Sequence, residues 1–267
     1  MPRFGTLDVA SAAQDAPQVV SLDAPSWELP DAQLLQVNWE VEDAPALELT
    51  PPALHPSIPP YASFVALRYP VSPVGPFTLA QVRLVVRAGI RPRGLCLGAV
   101  CDSAAAVDAL RSHWGFPVVL GEVSFVTRHD QVRVTAAVDG TEVLELAARD
   151  PEVIAGSDLM TFDNLHLVRL EHDGPEDGGQ GDGGPGDGTT AAILQVDPEF
   201  AVHQADRGRP LARLPDPEAL GMRGRLQLRS PIVAFALRAD TDLVPPRFRL
   251  DPIRPAVVGT TRIQRAA

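Results

Sequence analysis

Hydrophobic positions recur along this chain mostly at a spacing of two. In Leu35-Gln36-Val37-Asn38-Trp39-Glu40-Val41 apolar and polar residues alternate, the pattern of a strand with one buried face. The same spacing, less regular, predicts strands at 62–69, 81–87, 94–100, 119–125, 131–138 and 141–147. Weaker ones follow at 165–171, 191–196, 225–229 and 232–239. Asp139-Gly140 supplies the positive-φ pair that a tight hairpin demands between two of these runs. One segment has helical spacing instead. Asp102-Ser103 offers an N-cap, Ala104, Val107, Leu110 and Trp114 follow at helical intervals, and Gly115 before Pro117 ends the run. Many strands and one short helix predict a mainly β (α+β) fold, a barrel or curved antiparallel sheet rather than a parallel α/β one.

Residues 1–30 have little periodicity and read as an N-terminal arm, 31–255 as a single domain, and 256–267 as a C-terminal tail. The connection holding Pro51, Pro52, Pro56, Pro59 and Pro60 is too poor in donors for a central strand. Gly174 to Gly188 mixes glycine with Asp177, Asp182 and Asp187 but lacks the ligand spacing of a calcium loop, so a flexible loop is expected.

Composition narrows the chemistry. All 23 basic residues are arginine, against 34 acids, for a formal charge of −11. That sign argues against nucleic acid or an anionic membrane surface as partner. No apolar run approaches the ~20 residues that cross a bilayer, and no secretory signal is visible, so a cytoplasmic protein is expected. Cys96 and Cys101 lie in a run read as extended, which separates their Cα atoms by roughly 16 Å. A disulfide is therefore not expected, and no second Cys or His pair completes a zinc set. No P-loop, Gly-x-Gly-x-x-Gly fingerprint or nucleophile elbow occurs, so neither a metal nor a cofactor is expected. Above all, the chain contains no lysine.

Four segments in order resemble the acetoacetate decarboxylase superfamily. Gly75-Pro76-Phe77-Thr78 is similar to its Gly-x-aromatic-Thr-Glu run, and Arg111-Ser112-His113-Trp114-Gly115-Phe116-Pro117-Val118-Val119 to its helix end and aromatic-Pro-Lys-Lys turn. Leu35–Val41 followed by Leu49-Thr50-Pro51-Pro52-Ala53-Leu54 is similar to its entry strand, and 232–239 with Phe248–Pro252 to its closing strands. The resemblance implies a cone-like antiparallel β-architecture around a cavity, assembled into homo-oligomers. It also implies a mechanism in which a desolvated lysine beside a second lysine forms an imine with a ketone. Here the departures matter. Val118 and Val119 stand at the two lysine positions, Leu79 at one acidic position, Phe64 at a second on ungapped counting, and Ala32 near the carboxylate-binding arginine. Imine chemistry is excluded if this chain supplies its whole site.

If Val118, Val119, Leu79 and Phe64 still line the cavity, its floor is apolar and suits a hydrophobic ligand, with Trp114 and Phe116 as flat walls. If side chains fill the cavity, the site is dead or lies elsewhere. Candidate catalytic groups are His113 at the helix C-terminus, Glu122 in the strand after the turn, and Gln81 and Arg83, which share the phase of Leu79. Each has a plain structural alternative: an exposed or capping histidine, solvated strand residues. The other histidines (His55, His129, His166, His172, His203) lack ligand spacing and read as surface or hydrogen-bonded structural groups. The expectation is a lysine-independent enzyme acting on a mostly apolar small molecule, of lyase, dehydratase, isomerase or cyclase type, in secondary metabolism. The alternative is a non-catalytic small-molecule binding protein or a structural subunit on the same scaffold.

Overall fold

A computed structural model describes residues 3–89, 91–171 and 189–263; the loop read from the sequence at 174–188 lies outside them. In chain order the strands are β1 (Gln18–Val19), β2 (Trp27–Val41), β3 (His55–Pro56), β4 (Tyr61–Tyr69), β5 (Phe77–Ala88) and β6 (Arg91–Cys101). After them come β7 (Val118–Leu120), β8 (Glu122–Thr127), β9 (Gln131–Val138), β10 (Thr141–Val153) and β11 (Asn164–Glu171). The last are β12 (Thr189–Val196), β13 (Glu199–Arg213), β14 (Leu228–Leu243), β15 (Phe248–Leu250) and β16 (Thr260–Arg262). The helices are α1 (Val9–Gln14), α2 (Asp43–Glu48), α3 (Ala104–Trp114) and α4 (Ala256–Gly259).

All strands join one sheet, ordered β16-β15-β12-β11-β6-β5-β4-β2-β14-β13-β10-β9-β8, with β1 beside β11, β3 beside β5 and β7 beside β6. The mainly β architecture is the expected one. The barrel is not: the sheet stays open, and it is mixed, because β1–β11, β6–β11 and β6–β7 run parallel. The N-terminal segment is not wholly irregular, since α1 is capped by Asp8 on the backbone N–H of Ser11, and β1 adds to the sheet. Within the C-terminal tail, Thr260–Arg262 form β16 and pair with β15. Residues 225–227 are not strand; β14 begins at Leu228.

Strands β4 and β5 are buried on both faces, which explains their weak alternation. On one side Phe64, Ala66, Val82 and Leu84 enter the larger apolar core with Leu35, Val37, Leu144 and Leu146. On the other, Val65, Leu67 and Leu79 meet Trp114, Phe116, Leu110 and Leu243 in a second cluster. Helix α3 covers this second face. Ser103 caps its start by accepting from the N–H of Ala106, and Gly115 closes it at φ +67°. A side chain at Gly115 would strike Val168 Cγ1 at 2.2 Å, so glycine is required by both conformation and space. Cys96 and Cys101 are free and buried, as their spacing predicts. Among the described residues no helix is long and apolar enough to cross a membrane.

Candidate functional site

A cavity of about 30 Å³ lies between the second face of the sheet, the end of α3 and the segment entering β11. Its apolar wall is built by Leu34 of β2, Val65 and Leu67 of β4, Phe77 and Leu79 of β5, Leu110 of α3, and Phe116, Phe200 and Leu243. Polar groups concentrate at the opposite side: Gln36, Gln81, Arg83, Thr161 and Asn164. They fall there because side chains alternate along a strand, so Leu79, Gln81 and Arg83 all leave β5 toward the cavity.

Arg83 is only 4% exposed. Its Nη1 donates to Asn164 Oδ1 at 2.8 Å and to the Phe162 carbonyl at 3.2 Å, and its Nη2 donates to Ser63 Oγ at 3.0 Å. Every one of these acceptors is neutral. Among the described residues no ion pair reaches Arg83, and neighbouring Asp163 is bound instead by Arg93 at 3.1 Å. Burial pulls the guanidinium down to about 10, against the opposing pull of Cys96 and Asp163. At neutral pH it is a buried cation with no ion pair among the described residues, a costly arrangement that a bound anion would relieve. Gly94 makes the room, since a Cβ there would stand 3.0 Å from Arg83 Cδ.

Around it lies a row of carboxamides. Gln36 Nε2 donates to the Met160 carbonyl at 2.7 Å and to Asn38 Oδ1 at 3.2 Å, and Gln81 Oε1 accepts weakly from the Cys96 thiol at 3.9 Å. Burial pushes that thiol up to about 12, so it is not a thiolate nucleophile. His166 sits beside this row, fully buried, with its ring centroid 4.1 Å from that of Phe116. Its Nδ1 lies 2.7 Å from the Trp114 carbonyl, while Nε2 has no partner. Burial holds the imidazole down to about 4; the Trp114 bond opposes this and the charge of Arg83 adds to it.

The sequence candidates divide. Leu79, Phe116, Gln81 and Arg83 line the cavity. Trp114 and Val118 are buried in the same cluster without lining the cavity, and Trp114 Nε1 donates to the Val244 carbonyl at 3.0 Å. Phe64 is turned away into the larger core, because one step along β4 changes the face; the inward positions are Ser63 and Val65. Val119 packs against that larger core too. Glu122 is exposed on β8, and His113 is half-buried with its ring edge-on to Trp114. None of these four is brought to the cavity. Gln36, Ser63, Asn164 and His166 are the polar residues that sequence reasoning passed over. Ser63 carried a signal, a polar side chain in a run otherwise apolar on both faces, whereas Gln36 is an ordinary polar position of an alternating strand and His166 reads as a lone histidine.

Comparison with known proteins places these features in a family. The model of the acetoacetate decarboxylase family matches residues 14–175. A crystal structure of acetoacetate decarboxylase from Legionella pneumophila superposes with a TM-score of 0.69 at 15% identity, covering 84% of this chain and 86% of that one. The enduracididine biosynthesis enzyme MppR, complexed with the condensation product of pyruvate and imidazole 4-carboxaldehyde, gives 0.62 at 15% identity, covering 85% and 90%. An acetoacetate decarboxylase-like enzyme from Sphingomonas wittichii RW1 gives 0.57 at 15% identity, covering 84% and 96%. A comparison with curated protein sequences finds no match.

Proposed function

The chain belongs to the acetoacetate decarboxylase family, and we propose that it acts on a small carboxylic acid with an apolar body, without a lysine imine. The observation that carries this reading is Arg83, a buried cation in the cavity wall held by neutral acceptors alone. A ligand carboxylate would complete its charge, and the apolar wall of Leu34, Val65, Leu67 and Leu79 would take the remainder of the molecule. Pyruvate, named in an MppR complex, is a small carboxylic acid. The absence of lysine removes the imine route from the chain's own side chains. What remains is chemistry by positioning, proton transfer and charge stabilisation, of the kind that lyases, isomerases and cyclases of secondary metabolism use.

Calorimetric titration with acids and their matched amides tests the reading. Butanoate and 2-oxobutyrate are expected to bind at least ~10-fold more tightly than the amides, because charge-assisted hydrogen bonds are the stronger ones. Arg83→Gln removes the difference. Equal binding of acid and amide by the native protein would contradict it. A cavity of only about 30 Å³ favours a second reading, a structural subunit whose pocket has closed. In that case neither acid nor amide binds.

A further inference from the structure

The geometry points to residues 155–162 as a lid latched by Arg83 itself, an inference that rests on the reading of the site as one for a small carboxylic acid. A cavity of about 30 Å³ has room for about two water molecules. A four-carbon acid needs several times that space, so one wall has to move. β2, β4 and β5 are not free to do so, since each is paired on both sides in the middle of the sheet. Helix α3 is capped at both ends and packed over them. The connection from β10 to β11 is different. Thr161 and Phe162 belong to the cavity wall, yet 155–158, Met160 and Thr161 are exposed. Its regular structure is one 3-10 turn, Gly156–Asp158. Such thinly packed segments are the ones that open locally.

Both ends of the segment are fixed. Ile154 donates its N–H to the Ala205 carbonyl at 2.9 Å; at the other end the Asp163 carbonyl accepts from Gly94 N–H at 2.8 Å, and the Asp163 carboxylate pairs with Arg93. Between these ends Leu159 packs on the second cluster and the Phe162 ring lies 6.1 Å from that of Tyr61. Two hydrogen bonds latch the backbone, Gln36 Nε2 to the Met160 carbonyl at 2.7 Å and Arg83 Nη1 to the Phe162 carbonyl at 3.2 Å. Both donors stand on the polar side of the cavity, where the ligand carboxylate is to bind. A guanidinium has two N–H groups on each Nη and one on Nε. Asn164 and Phe162 take both of those on Nη1, Ser63 takes one on Nη2, and Nε has no partner. A carboxylate gripping both Nη atoms must therefore displace an acceptor from Nη1. The longer bond is the one to Phe162, and an ionised acceptor outcompetes a neutral carbonyl because charge-assisted hydrogen bonds are about twice as strong. Binding the acid and releasing the lid are then one exchange at Nη1. An uncharged ligand of the same shape leaves the latch shut.

The latch can be watched in the native full-length protein. Phe162-Asp163 is the only Phe-Asp pair in the sequence. Carbonyl-carbon-13 phenylalanine combined with nitrogen-15 aspartate therefore gives one carbonyl correlation, that of Phe162. Saturating butanoate is expected to move it upfield, as for a carbonyl that loses a donor, and butanamide to leave it in place. A fluorophore attached at Ser157→Cys, on the exposed turn of the lid, reports the displacement, since Cys96 and Cys101 are buried. Its emission should change with butanoate at the concentrations that saturate the carbonyl shift, and not with butanamide. Calorimetry on the same samples separates the two claims. Butanoate that binds while the Phe162 carbonyl or the label stays unmoved would overturn the lid and leave the carboxylic-acid reading standing. So would butanamide moving the carbonyl as far as butanoate does. Failure of butanoate to bind at all would remove both.

Discussion

At the scale of single residues, the informative positions are polar side chains on strands otherwise buried on both faces. Gln81 and Arg83 were legible because they share the phase of Leu79, and all three reach the cavity. Phe64 was misplaced by one step, and in a strand one step exchanges the two faces; Ser63 and Val65 are the inward neighbours. His166 was passed over because a lone histidine in a sequence carries no sign of what surrounds it. Its burial has a thermodynamic consequence. The unfolded chain protonates this imidazole below pH 6.5, whereas the folded one resists until about 4. Stability from this group is therefore complete above pH 6.5 and is lost as pH falls through 4. The drop is worth roughly 3 kcal/mol. Chemical denaturation of the native protein and of His166→Gln at pH 7.5 and pH 4 should differ in acid sensitivity by about that amount. Equal sensitivity would show that the ring is not buried neutral.

At the scale of elements, local signals were sufficient where turn and cap chemistry is explicit. The β9–β10 hairpin turns through Asp139 at φ +49° and Gly140 at φ +75°, as the dipeptide predicts. Helix α3 starts and stops where Ser103 and Gly115 place it. Strand β13 was missed because it is exposed along most of its length and interrupted by Gly208 and Pro210, so it has no clean alternation. Strand β2 runs eight residues further N-terminally than its alternating part, through Pro30 and Asp31, by a register shift against β14. There Asp31 adopts φ +55° and donates its N–H to Asp240 Oδ1 at 2.9 Å. Pro30 lies within the strand, at an irregularity in its pairing with β14. Two glycines separate conformation from packing. Gly140→Ala meets nothing within 4 Å and should lose only the backbone term, about 1 kcal/mol. Gly115→Ala also drives a methyl into Val168 and should lose about 2–4 kcal/mol in urea denaturation. Equal losses would mean that the end of α3 is not seated on β11.

At the scale of the molecule, the family scaffold is kept in a chain that contains no lysine. Sequence resemblance reached the fold because strand order and the turn after α3 leave marks in local patterns. It did not reach the open, mixed character of the sheet, because parallel pairing of β6 with β7 and β11 depends on segments far apart in the chain. Nor did it reach the polar row around Arg83, which is assembled from β2, β4, β5 and β11 together. The central claim is that Arg83 has taken over substrate binding in a cavity that forms no lysine imine. Carbon-13 NMR of 2-oxobutyrate labelled at C1 and C2, added to the native protein and to Arg83→Gln, tests it most directly. The account predicts a C1 resonance shifted by the native protein and unshifted by Arg83→Gln, with C2 remaining a ketone or enol carbon. A C1 signal indifferent to Arg83, or an imine carbon at C2, would contradict it.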